Sequence, residues 1–391
     1  MIGIEAGIVK KNGASSGGPE LGYHGNEMNA IAVSGRAPAG IGPTWLGGLR
    51  WDATWLIGSA AIVPLVLVFV WAGVPNTALN LAVTTIVGGP HLFATYTATY
   101  MDPRFRRSHL PMLVLITIFV PAGVVFMTLY DFQSLLSFFI FAASIHVLQQ
   151  NAYLADVYRR RGALPERPWA RWIDYAFLGL SFYPIASYKL VHGAFRLGET
   201  EILIPPVFRT EATYWLVGGV FAVLAALWVW KTIDERRRGV LNLPKTLLIG
   251  VTAAIAFTVP IAAGGDRLEL AFQAVNAWHS IQYLGLVWMI QSLRSQRGQI
   301  EPSFSRTLYK SGRATRYFGF CFVASVSLLG AMVMLSRLNP FGLDSEVSFD
   351  RYYYMGILSC LLIHYALDGW LFAVSSFKGA KAVNVPYGAF G

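Results

Sequence analysis

Four histidines stand inside hydrophobic stretches of the chain: His91 in GGPHLFATY, His146 in SIHVLQQNAY, His279 in AWHSIQYL and His364 in LIHYALDGW. An ionisable group in such a setting is costly, usually faces a bundle interior and marks a site. Neutral imidazole nitrogens are ligands for transition metals, and one ion gripped by four rings would account for the whole set. Each histidine is followed four positions later by a polar residue, Thr95, Gln150, Tyr283 and Asp368. A helix would place each of these on the same face as its histidine. Metal-bound imidazoles commonly donate their second N–H to such a partner, and the carboxylate Asp368 is the expected orienter. Gln149, Asn151 and Gln282 lie nearby, and Tyr96, Tyr153 and Asn276, within about two helical turns of a histidine, are expected to line a pocket. Gly88-Gly89-Pro90 should kink or open the helix ahead of His91, because proline removes a backbone donor.

Other groups also take histidine. Two bis-histidine haems would need the rings paired at two depths, whereas a chlorophyll-type pigment needs one axial histidine each. Packing alone, with every imidazole hydrogen-bonded inside the bundle, is the bland reading. Fe(II) uses all four rings, and zinc and copper accept the same ligand type. A proton-relaying transporter is a third class, but no inverted repeat is evident. His24, His109 and His192 fall in a tail, a basic loop and a helix end, and read as surface residues. Cys321 and Cys360 sit apart in apolar stretches and suit small buried hydrophobes better than a disulfide or metal pair. No GxGxxG, Walker loop, HExxH, GxSxG or desaturase-type histidine box occurs.

The elements that must carry these rings are membrane helices. Hydrophobic residues make up 55% of the chain, charged ones only 13%, and mean hydropathy is +0.49; soluble domains carry roughly 25% charged residues. The pattern predicts an all-α polytopic bundle of ten transmembrane helices, near 54–73, 78–100, 110–130, 133–157, 172–192, 213–231, 244–264, 268–292, 315–336 and 352–375. Each is close to the ~20 residues that cross a bilayer. Residues 1–50, rich in Gly, Ala and Ser, read as a disordered cytoplasmic tail, with Met28 an alternative start, and 51–391 as the transmembrane domain. The stretch LGETEILIPP (197–206) reads as a surface loop.

Charge sets the orientation. Arginines 104, 106 and 107 follow the second segment, 159–161, 167 and 171 the fourth, and 236–238 the sixth, while 294, 297, 306, 313 and 316 follow the eighth. The alternate connections are poor in them, so the positive-inside rule places both termini in the cytoplasm. The formal charge of +10 thus belongs to loops that meet anionic lipids and gives no reason to expect nucleic acid. The histidines then fall on segments two, four, eight and ten, which all run the same way. His91 and His146 lie 13 residues from starts at 78 and 133, His279 lies 11 from 268, and His364 lies 12 from 352. These depths agree within about one helical turn.

In this order the motifs Gly89-Pro90-His91, Ile145-His146, Trp278-His279 and His364 with Asp368 resemble the membrane-embedded Brp/Blh-type β-carotene 15,15′-dioxygenases. The resemblance is confined to these four short stretches. It implies that His91, His146, His279 and His364 are iron ligands. The expected function is an integral-membrane Fe(II) oxygenase, of the bacterial inner membrane, acting on an apolar polyene or isoprenoid of carotenoid type. The alternative is a non-catalytic haem- or chlorophyll-binding subunit of a larger membrane complex.

Overall fold

The computed structural model describes residues 44–162, 164–181, 191, 195–197, 200–262, 268–310 and 314–377. The chain divides into two units, 1–40 and 41–391. The first lies outside the described residues, as do His24, Met28 and His192, so the structure is that of the second.

This unit is helical. A helix over Leu49–Trp71 (α1) leads to α2, which is made of Asn76–Val83, a π-helical turn at Thr84–Gly88, and Gly89–Ala98. Then come α3 (Pro103–Ser108), α4 (Leu110–Tyr130), α5 (Phe132–Arg161) and α6 (Ala170–Ser181). After a short hairpin follow α7 (Glu211–Arg237), α8 (Leu243–Ala262) and α9 (Leu268–Gln296). The last three are α10 (Phe304–Leu308), α11 (Ala314–Leu338) and α12 (Ser345–Phe377). Helix ends follow local chemistry. Asp131 caps α5 by accepting from the Ser134 amide, and three arginines close its last turn, where the helix dipole favours cations.

Among the described residues, five helices, α1, α4, α5, α7 and α11, are long and apolar enough to cross a bilayer. This is the build of an integral membrane protein. Three of them form its periphery: α4, α7 and α11 bury little of themselves and expose large apolar side chains such as Phe119, Leu216 and Val323. In water such a surface would be a liability, but in hydrocarbon it is solvated. Inside them lie α5 and the helices α2, α9 and α12, whose polar residues dilute their hydropathy. Helix α12 packs on α4, α5, α11 and the last part of α2, and α9 packs on α1 and α2.

Glycine makes one of these contacts possible. A Cβ at Gly89 would stand 1.8 Å from Ser325 Oγ, so only glycine lets α11 approach α2 there. The Gly-Gly-Pro segment overlaps a π-helical turn: Gly88 ends the turn, and α2 continues from Gly89 and Pro90 to Ala98.

The stretch expected to lie on the surface partly turns inward. β1 (Arg196–Leu197) pairs antiparallel with β2 (Thr200–Glu201), with Arg196 opposite Glu201. Phe195, Leu197 and Ile202 bury against Leu136 and Phe139 of α5 and Leu358 and Leu361 of α12. Alternation along a strand explains the difference, since it sends every second side chain to the core.

Candidate metal centre

The four histidines arrive from four helices at one place. His91 stands on α2, His146 on α5, His279 on α9 and His364 on α12, and all four are buried. Their rings form a closed cycle. Centroid separations are 5.3 Å from His91 to His279, 4.9 Å from His279 to His146, 4.7 Å from His146 to His364 and 4.8 Å from His364 to His91. Neighbours meet edge to face, between 69° and 87°.

These separations fit a shared ion. A metal–nitrogen bond of about 2.1 Å, with about 1.1 Å more to the ring centre, puts neighbouring centroids about 4.5 Å apart at right angles and about 5.2 Å apart in a tetrahedron. Moreover, His146 Nε2 and His364 Nε2 face each other at 3.1 Å, which two ligands of one ion would show at an angle of roughly 100°. Two ligand groups have nitrogen or oxygen atoms within 4.8 Å of one another: His91 with His279 and His364, and His146 with His364 and Asp368.

Hydrogen bonds fix which nitrogens are available. His91 Nδ1 donates to the Gly88 carbonyl, with Ser280 Oγ 3.1 Å away, so its Nε2 carries the lone pair. At His364 the argument runs through a hydroxyl. Thr95 Oγ1 donates to Asp368 Oδ1 at 3.1 Å, and Tyr283 OH donates to the same oxygen at 2.7 Å. Thr95 has no second proton, so His364 Nδ1 must donate to it across 2.6 Å, leaving Nε2 as the lone-pair atom.

A hydrogen bond between the two facing Nε2 atoms would satisfy those two atoms but no nitrogen of His91 or His279. Among the described residues, His91 Nε2 and both nitrogens of His279 have no hydrogen-bond partner. Buried polar atoms left unpaired cost about 1–3 kcal/mol each. A cation at the centre of the cycle would engage one nitrogen of each ring.

The remaining candidates divide. Thr95, Tyr283 and Asp368 join in one network, with Thr95 and Tyr283 2.6 Å apart and the Tyr283 ring against His91 and His364. Asp368 Oδ2 is 3.7 Å from His364 Nδ1, so its closer link to that ring passes through Thr95. Gln150 donates to Gln282, and Gln282 in turn donates to the Leu56 carbonyl in α1, both at 2.6 Å. Asn276 sits beside Gly88 and accepts from Ser280 at 3.5 Å. Tyr96 donates to the Cys360 carbonyl and stacks on Tyr100. Tyr153 is buried in the apolar core with Leu154 and Val157.

The chain matches no family model, no curated protein and no solved structure.

Two residues at the centre carried no signal of their own. Ser280 touches His91, and Tyr365 stacks on His146 at 4.4 Å. Each directly follows a histidine, about 100° further round its helix. In a helix enclosed by neighbours, that turn still faces protein.

Proposed function

We propose that the protein is an integral-membrane, non-haem iron oxygenase whose four histidines hold the metal and whose substrate is an apolar, lipid-soluble polyene or isoprenoid. The observation that carries this reading is the closed cycle of four buried imidazoles, in which three nitrogens lack any hydrogen-bond partner among the described residues. When bound, Fe(II) would supply one-electron chemistry toward O₂. The protein's part is to present neutral nitrogen donors in set tautomers. Gly88 fixes His91, and Thr95, itself held by Asp368, fixes His364. Leu92, Ala143 and Leu361, each within three positions of a site histidine along its helix, belong to an apolar cluster with Phe139, surroundings suited to a hydrocarbon.

The same reading takes the ten hydrophobic segments as ten spans with both termini in the cytoplasm, in a bacterial inner membrane. A haem or chlorin at this centre is disfavoured by the rings themselves, because four imidazoles already in mutual contact leave no gap for a macrocycle. Anaerobic purification followed by metal analysis and an absorption spectrum tests the proposal. About one iron per chain without a Soret or chlorin band is expected. His146→Ala and His364→Ala should lose the iron, while His109→Ala keeps it. A preparation free of transition metal under these conditions defeats the reading.

A further inference from the structure

We propose that the pocket at the turn between α5 and α6 is a docking site for the phosphate headgroup of an anionic phospholipid. The proposal rests on the reading of the chain as membrane-spanning. The pocket is an open depression of about 440 Å³ whose lining includes Arg159, Leu164, Glu166, Arg167 and Arg171. Its floor is a buried ionic lattice joining four helices. Arg159 reaches Asp156, Glu166 and Asp174, Lys231 reaches Asp174 and Glu235, and Lys245 reaches Glu166 and Asp174. Those cations are committed to carboxylates.

The rim is different. Arg167 meets Asp234 at a long 3.4 Å with 47% of its side chain exposed, and Arg171 remains 41% exposed although its Nε and Nη2 bond Tyr175 and Asp156. Residues 156–174 and 231–245 together hold ten Lys and Arg against five Asp and Glu, a surplus of five positive charges. A phosphate would meet the outward Arg167 guanidinium, able to bind it through paired N–H donors, and beside it the Nη1 group of Arg171.

Tryptophans set the depth of this pocket. Trp169 stacks on Trp230 at 5.3 Å, the Arg167 guanidinium lies over Trp169, and Trp172 and Trp230 are 71% and 53% exposed. Exposed tryptophans at the ends of membrane helices seat at headgroup level. From Trp230 an exposed apolar stripe of Leu227, Val223 and Val220 runs down α7, where acyl chains would lie. Positive rim, aromatic belt and apolar stripe together match one phospholipid molecule with an anionic head.

The test is native mass spectrometry of the full chain, extracted in non-ionic detergent and offered equimolar phosphatidylglycerol and phosphatidylcholine with matched acyl chains. The wild type should retain phosphatidylglycerol preferentially. Arg167→Gln and Arg171→Gln should each lower that preference about fivefold. Arg236→Gln, exposed but outside the pocket, should leave it unchanged. Arg167→Gln spares the buried lattice, so its melting temperature should match the wild type and separate lost binding from lost folding. Equal retention of the two lipids, an equal effect of Arg236→Gln, or displacement of the lipid by soluble glycerol phosphate would each overturn the proposal. A chain recovered in the aqueous fraction without detergent would overturn it together with the membrane reading, a result distinct from membrane-bound protein without lipid preference.

Discussion

Replacing Thr95 by valine isolates a single hydroxyl at the centre. Valine keeps the shape but can neither accept from His364 Nδ1 nor donate to Asp368. Asp368 Oδ1 retains the Tyr283 hydroxyl, so the main casualty is the His364 N–H, a buried donor left without a partner. That loss is about 1–3 kcal/mol, which corresponds to a factor of roughly 5 to 150 where the lost bond supports ligation. Substitution behind metal-bound histidines typically weakens binding by about 10–100-fold, and the two ranges agree. Anaerobic chelator competition would measure Fe(II) affinity in the wild type and Thr95→Val. Thr99→Val serves as control, since Thr99 lies one turn further on, at the end of that helix, and its hydroxyl donates to the Thr95 carbonyl. Thr95→Val should weaken iron binding by at least tenfold, while Thr99→Val should shift only the melting temperature. Equal iron affinities in both variants would refute the argument that the hydroxyl holds a ligand in place.

Gly89→Ala should destabilise the protein by about 1–3 kcal/mol through overpacking, because the new methyl meets Ser325 Oγ and Cβ at 1.8 and 2.8 Å. Ser325→Gly in the same chain should restore much of the loss in melting temperature. Burial raises the Glu166 carboxyl, but Lys245 and Arg159 beside it outweigh burial and hold it below its ordinary 4.5. Its stabilisation is therefore present above that value and lost as pH falls through the folded one. Melting temperature should drop on acidification below about pH 4.5, and Glu166→Gln should flatten that limb. For topology, cysteines introduced at Leu164 and Gly298 should label from the same side of the membrane and one at Asp344 from the other. Any other pattern contradicts the ten-span arrangement.

The convergence of the histidines was legible because ionisable residues inside apolar segments are few and their depth can be counted. Their i+4 partners were only partly so. Thr95, Tyr283 and Asp368 turn to one another because α2, α9 and α12 present that face inward, whereas Gln150 finds Gln282. Tyr96 and Tyr153 were close in sequence, yet Tyr96 reaches Cys360 and Tyr153 packs in the core. Which way a side chain points depends on its neighbouring helices, and periodicity does not reveal those. The ionic lattice was hidden for a similar reason. Arg159–Arg161 reads as a topology signal, while the acids that answer Arg159 come from α5, the following turn and α6. The helices predicted near 54–73 and 352–375 form over Leu49–Trp71 and Ser345–Phe377, the excess being end turns too polar for a hydropathy window. Of the segment predicted at 172–192, the described part is helical over Ala170–Ser181.

Because each of α2, α5, α9 and α12 contributes one ring, no two of them can make the cycle alone. The first and last rings are 273 positions apart along the chain, from His91 to His364. During synthesis the complete cycle of four rings therefore cannot exist until α12 has emerged and docked between α5 and α2. A chain truncated after α11 would lack both the fourth ring and the helix on which α4 and α11 pack, so captured iron would double as a certificate that assembly had finished.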